Sequence, residues 1–274
     1  MSTAIPTRWQ SLAGYVQQQE TGPIRIGVAV QAPDGDRFSL RGDERFISAS
    51  TIKIPIMVEI FRQIDRGERA LADQISMTKA DICPGSGVML QLHPGIVFTL
   101  RDIVYLMMSI SDNTATNMLI DLAGMDAVNA TITSLGMTNS ALGRKMRGVP
   151  APEGSPENWA TPDDFRNAID AILTGSAASR QSCDAMIEML TLQQNTRRIG
   201  RSFPEGTLPW GSKTGTVGDV SHDAGFVRGP SGDMVVTVFT QGFPVLHDAE
   251  PVMGEIARLA AVTSGLIDAP PLSS

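Results

Sequence analysis

Phe46-Ile-Ser-Ala-Ser-Thr-Ile-Lys-Ile-Pro-Ile-Met-Val58 is the stretch from which the rest of the chain is read. Ser50 and Lys53 stand three residues apart, so one turn of helix puts hydroxyl and amine on the same face. Ser50 falls in the first turn, where unpaired backbone N–H groups and the helix dipole favour negative charge. A serine so placed can attack a carbonyl if a neighbour takes its proton, and Lys53 is within reach. To do so Lys53 must be neutral, which burial and a nearby cation would favour. The spacing alone is weak evidence. Ser76-Met-Thr-Lys79 repeats it, but Ala80-Asp-Ile-Cys-Pro-Gly85 follows and reads as loop. The apolar surroundings of Ser50 set it apart.

Upstream of this stretch, residues 8–19 read as a short amphipathic helix with Trp9, Leu12, Ala13 and Val16 on one side. Ile24, Ile26, Val28 and Val30 alternate as a half-buried strand. Pro33-Asp-Gly-Asp36 turns the chain, and Arg37-Phe-Ser-Leu40 returns it. Downstream, from Ser50 to about Gln194, helices dominate. Thr99-Leu-Arg-Asp102 is a capping-box-like start, Ser111-Asp-Asn113 interrupts the helical pattern, and Thr161-Pro-Asp-Asp164 supplies an N-cap, a first-position proline and first-turn acids. Strand patterns return at 208–216, 224–228 and 234–241, before an amphipathic helix over 248–263. Neither strand set is large enough alone, so the two should join in one antiparallel sheet. The expected organisation is therefore discontinuous: residues 1–48 plus 196–274 form a sheet subdomain, residues 49–195 an inserted helical one, and a cleft lies at the seam.

Composition excludes several function classes. The 274 residues carry a net charge of −7, with no Lys/Arg cluster of the kind that tracks phosphates, so nucleic acid is not an expected partner. The longest apolar runs are too short to cross a bilayer, so no membrane partner is expected either. Met1-Ser-Thr-Ala-Ile-Pro-Thr-Arg-Trp-Gln10 lacks a basic flank, apolar core and cleavage site. With Met1 as the native start, a cytoplasmic protein is expected. Cys83 and Cys183 belong to no CxxC and are expected as buried free thiols, a single disulfide being the alternative. His93, His222 and His247 are scattered without metal-ligand spacing, so no metal and no cofactor is expected. Gly206-Thr-Leu-Pro-Trp-Gly-Ser-Lys213 nearly matches a phosphate-binding loop, but Ser212 separates glycine from lysine.

Three elements then stand in order: Ser50-x-x-Lys53, Ser111-Asp-Asn113 and Lys213-Thr-Gly215. With them the sequence resembles the penicillin-recognising serine hydrolases, the serine β-lactamases and penicillin-binding proteins, over nearly its whole length and most on the class A side. Ser111-Asp-Asn-Thr-Ala-Thr-Asn117, the Thr161-Pro162 helix start and Lys213-Thr-Gly-Thr216 carry the likeness. It implies a β-lactamase-like α/β (α+β) fold: an antiparallel sheet flanked by N- and C-terminal helices, with an inserted all-helical subdomain. It also implies roles. Ser111 relays a proton to the leaving nitrogen, and Asn113 binds a substrate amide. Lys213 and Thr214 hold a carboxylate, and Gly215 lets substrate approach the backbone. The N–H groups of Ser50 and Thr216 form the oxyanion hole. His222, just past the Lys213 strand, is carried as a further substrate contact, the alternative being that it shapes the next turn. The expected partner is a small molecule: an amide, ester or β-lactam bearing a carboxylate.

One departure stands out. Class A enzymes carry Glu-x-x-Leu-Asn in the loop before the Thr-Pro helix, and that glutamate activates the deacylating water. Here Gly143-Arg-Lys-Met-Arg-Gly-Val-Pro-Ala-Pro-Glu-Gly-Ser-Pro-Glu-Asn-Trp-Ala160 has none where it is expected, near Arg147. Glu157-Asn158 reads as a structural part of the loop. Arg144-Lys-Met146 resembles a class A-related branch lacking this glutamate. Acylation should therefore survive, and β-lactam turnover should be weak or altered. The alternatives are an acylated, non-turnover β-lactam-binding protein and a D-alanyl peptidase, the latter ranked below a cytoplasmic hydrolase because no export signal is visible.

Overall fold

The computed structural model describes residues 6–268, so the first five residues scanned for a leader lie outside it. In chain order the elements are α1 (Gln10–Gln19), β1 (Arg25–Gln31), β2 (Arg37–Leu40), β3 (Phe46–Ile47), α2 (Lys53–Asp65), β4 (Gln74–Ser76) and β5 (Val97–Thr99). There follow α3 (Leu100–Ser109), α4 (Asn113–Ala123), α5 (Met125–Ser134), β6 (Trp159–Ala160), α6 (Pro162–Thr174) and α7 (Arg180–Thr191). The chain closes with β7 (Trp210–Val217), β8 (Val220–Gly229), β9 (Gly232–Gln241) and α8 (Ala249–Thr263).

The strands from the two ends of the chain do join. Five strands run in the order β2-β1-β9-β8-β7 with antiparallel pairing throughout. Side chains alternate across a strand, and β9 shows what that does here. Met234, Val236 and Val238 face one hydrophobic cluster with α1 and α8, while Val235 and Phe239 face the other with the helical middle. On β1 the two central residues on that second side, Gly27 and Ala29, are small. A Cβ on Gly27 would lie 2.8 Å from Pro162 Cγ, so the start of α6 packs directly on the strand.

Caps fix where the helices begin. Thr99 Oγ1 accepts from Asp102 N at 3.1 Å and Asp102 Oδ2 from Thr99 N at 3.2 Å, the reciprocal box expected from the sequence. Asp112 caps α4, and Thr161 with Pro162 caps α6. α2 is buried all round from Lys53 to Phe61, as a helix central to a bundle must be. The duplicate motif at Ser76 ends a two-stranded ribbon and enters a 3₁₀ turn, so Ser76 and Lys79 share no α-helical face. Cys83 and Cys183 are buried and unbonded. Among the described residues no helix is long and apolar enough to cross a membrane.

Candidate active site

Ser50 lies in a 3₁₀ turn, Ala49–Ile52, that leads directly into α2. Ala49 is held at φ +46°, an uncommon conformation for a residue with a side chain, and it turns the backbone sharply before the serine. The turn is pressed against β7. A Cβ on Gly215 would lie 3.0 Å from Ser50 N and 3.1 Å from Thr51 N. The glycine expected to make room for substrate is thus already required by the turn that carries Ser50.

Lys53, on the first turn of α2, is fully buried. Its Nζ donates to Ser111 O at 2.7 Å, to Ser111 Oγ at 3.0 Å and to Asn113 Oδ1 at 3.0 Å. Desolvation, then the charge of Lys213, holds its pKa well below the ordinary lysine value, with Asp112 opposing. Ser111 bridges α3 and α4 at φ +60°, and its carbonyl also accepts from Ser86 Oγ at 2.7 Å. Asn113 spends its amide oxygen on Lys53 and one N–H on Pro84 O at 3.0 Å, which leaves one N–H for a ligand.

Lys213 is fully buried on the edge strand β7, with Nζ donating to Thr214 O at 2.9 Å. Burial pushes its pKa down to about 7, with Asp223 opposing. Thr214, Gly215 and Thr216 line the cleft in front of it. Arg198, which sequence reading missed, lines the cleft beside Arg197. Its guanidinium donates to Gly215 O at 3.0 Å and to Thr216 Oγ1 and His222 O. The only signal for it was an arginine pair, Arg197-Arg198, after an amide-rich run. Ser86, also missed, lines the cleft on both sides of Ser50.

His222 corrects the sequence reading. It is fully buried, and its ring stacks on Phe239 with centroids 4.4 Å apart. Nδ1 accepts from Thr240 N at 3.1 Å, so Nε2 carries the proton and donates to Ile47 O at 2.9 Å. Burial lowers its pKa to about 4. Both nitrogens serve the backbone, and none is left for a substrate.

Loop 143–160 covers the other side of the cleft. Glu157 accepts from Arg144 Nη2 at 2.8 Å, Ala151 N at 2.7 Å and Asn158 N at 2.7 Å. These bonds hold its pKa below the ordinary glutamate value against the opposing effect of burial, so it is occupied as a structural anion. The loop side chain tucked in at the cavity beside Ser50 is Met146, 8% exposed, while Arg147 is exposed. Asn117 brackets Met146, accepting from its N at 2.8 Å and donating to its O at 3.1 Å. Among the described residues no group of three or more His, Cys, Asp or Glu is placed to hold a metal ion.

The chain is similar to known proteins over most of its length. The model of the beta-lactamase enzyme family matches residues 8–263. A beta-lactamase from Citrobacter koseri is 28% identical over 272 residues, 95% of this chain and 89% of that protein. The crystal structure of a beta-lactamase from Sphaerobacter thermophilus is 52% identical with a TM-score of 0.93, covering 96% of this chain and 99% of that one. A PBP-A mutant, solved as an acyl-enzyme complex with penicillin G, is 26% identical with a TM-score of 0.81, over 92% of this chain and 94% of that one.

Proposed function

Because this chain belongs to the beta-lactamase enzyme family, we propose that it is a serine hydrolase whose Ser50 is acylated by a β-lactam, amide or ester and freed slowly. The observation that carries the reading is Lys53: fully buried, its pKa lowered, one turn from Ser50 and bonded to Ser111. Neutral Lys53 takes the Ser50 proton as Oγ bonds the acyl carbon. Ser111 passes its own proton to the departing nitrogen or oxygen, and Lys53 restores it. The Ser50 and Thr216 N–H groups receive the oxyanion. A substrate carboxylate sits at Arg198, Thr214 and Thr216, in the field of Lys213 behind them, and Asn113 offers its remaining N–H to an acyl amide.

Deacylation is where this chain differs. Glu157 lines the same cavity as Ser50 and Met146, but its carboxylate is held by Arg144, Ala151 N and Asn158 N rather than free to activate water. Lys53 is then the remaining base for water. This loop also favours a second reading, a β-lactam-binding protein that is acylated without turnover. Intact mass followed over time with 6-aminopenicillanic acid, a penicillin without an acyl side chain, and a chromogenic ester, beside Ser50→Ala, tests both. The expected result is a wild-type adduct of full penicillin mass that clears more slowly than it forms, ester product, and neither in the variant. Hydrolysis retained in Ser50→Ala overturns the assignment, and an adduct that never clears selects the second reading.

A further inference from the structure

Ser50, Ser86 and Thr216 line two cavities at once, so the nucleophile stands on the saddle between them. The two sides differ in size and in what walls them. On the side of Asn113 and loop 143–149 the cavity is about 130 Å³, and a cavity of about 400 Å³ shares Met146, Arg147 and Val149 with it. On the side of Ser111 and Arg198 it is about 520 Å³, and a further cavity of about 890 Å³ shares Gln193, Thr196 and Arg197 with it. This second side runs from Ser50 past Gln194 and Asn195 toward Arg201 and Trp210.

Backbone narrows the small side, which the side chains of Arg144, Met146, Arg147 and Val149 also line. Gly85 and Gly148, both at positive φ, bring their segments into contact: a Cβ on Gly148 would lie 2.9 Å from Pro84 O and 3.1 Å from Gly85 Cα. The loop is pinned there by the Asn117 bracket, by Cys83 Sγ donating to Met146 O at 3.1 Å and by Arg144 donating to Val149 O at 3.0 Å. The large side is bordered by Gln194, Thr196 and Arg197, all exposed and polar.

Resting on the reading of Ser50 as nucleophile, with Ser111 and Arg198 on the leaving-group side, we propose that this enzyme takes a small acyl group from a large, elongated, polar leaving group. The substrate class is a short-chain acyl ester or amide of a carboxylate-bearing alcohol or amine. Ser50 Oγ bonds the acyl carbon, the scissile C–O or C–N bond breaks, and the leaving group departs with the proton Ser50 gave up. Water then cleaves the acyl ester, releasing a small carboxylic acid.

The test holds the leaving group constant and grades the acyl group: 3-acetoxybenzoate, 3-butyryloxybenzoate and 3-(phenylacetoxy)benzoate. A second arm keeps acetyl and extends the hydroxybenzoate through its ring with a neutral dipeptide. Since one methylene in a tight pocket shifts discrimination by about tenfold or more, kcat/KM should drop at least about tenfold from acetyl to phenylacetyl. It should hold or rise when the leaving group is extended, and Val149→Ala, at the rim of the small cavity, should narrow the acyl ratio. Equal rates for acetyl and phenylacetyl, all abolished in Ser50→Ala, overturn this proposal and leave the nucleophile assignment standing. Cleavage that persists in Ser50→Ala, or none by the wild type, overturns both.

Discussion

Lys53, Lys213 and His222 are all fully buried, and desolvation is the largest cause of the lowered pKa of each. The consequences differ because the neighbours differ. His222 is locked between two backbone groups and stays neutral. Lys53 is surrounded by acceptors that hold its amine in place while burial favours the neutral form a base requires. Lys213, at about 7, is divided between charged and neutral near neutral pH. Only its ammonium attracts a substrate carboxylate, and kcat/KM reports titrations of the free enzyme. For a carboxylate-bearing substrate, kcat/KM should therefore fall as pH rises through about 7. In Lys213→Arg, which stays protonated, that alkaline limb should vanish. A limb unchanged in the variant would assign the titration elsewhere. The motif lysines and serines were legible because each sits in a short local pattern. Arg198 was not, because its partners lie on β7 and β8, whose pairing with each other and with the segment bearing Arg198 is a product of folding.

At the scale of elements, the proposed slow deacylation rests on loop 143–160. Its anchors are side chains far apart in sequence: Asn117 from α4, Cys83, and the Arg144–Glu157 pair within the loop. It is also tied to the nucleophile's segment, since β6 pairs β3 and Ser48 N donates to Asn158 O at 2.8 Å. The sequence places the missing carboxylate near Arg147, and the structure shows that the inward position is one residue earlier. Met146→Glu should bring a carboxylate into the cavity and shorten the lifetime of the penicillin adduct. Intact mass after rapid removal of free penicillin measures this, with circular dichroism confirming the fold. An adduct as long-lived as that of the wild type would show that a carboxylate at this position does not activate the water. Helix starts were easier to read, because a cap is written within four residues; Thr99–Asp102 and Thr161–Asp164 form as the sequence implies.

For the whole molecule, the sheet is what couples the two hydrophobic clusters, since β8 and β9 give alternate residues to each. We propose that residues 1–48 with 196–274, and residues 49–195, are units sharing this sheet, so that they unfold together. Phe239 sits at the junction, within 6.0 Å centroid distance of Phe46, Phe165 and His222. Truncating a buried aromatic costs about 3–5 kcal/mol, so Phe239→Ala should lower the urea midpoint by a corresponding amount in one transition. Two separated transitions would argue against shared unfolding. The sequence by itself determined the strand and helix periodicities, the helix caps, the order of the three motifs and the absence of a glutamate near Arg147 in the loop, all of which are local patterns or plain residue identities. Only the tertiary structure decided that His222 turns into the core, that Gly215 makes room for the nucleophile's turn, that Arg198 reaches the cleft, and that the two sides of Ser50 differ in size. Each of these depends on which surfaces meet across the seam, and burial and packing between distant segments are set only when the sheet closes.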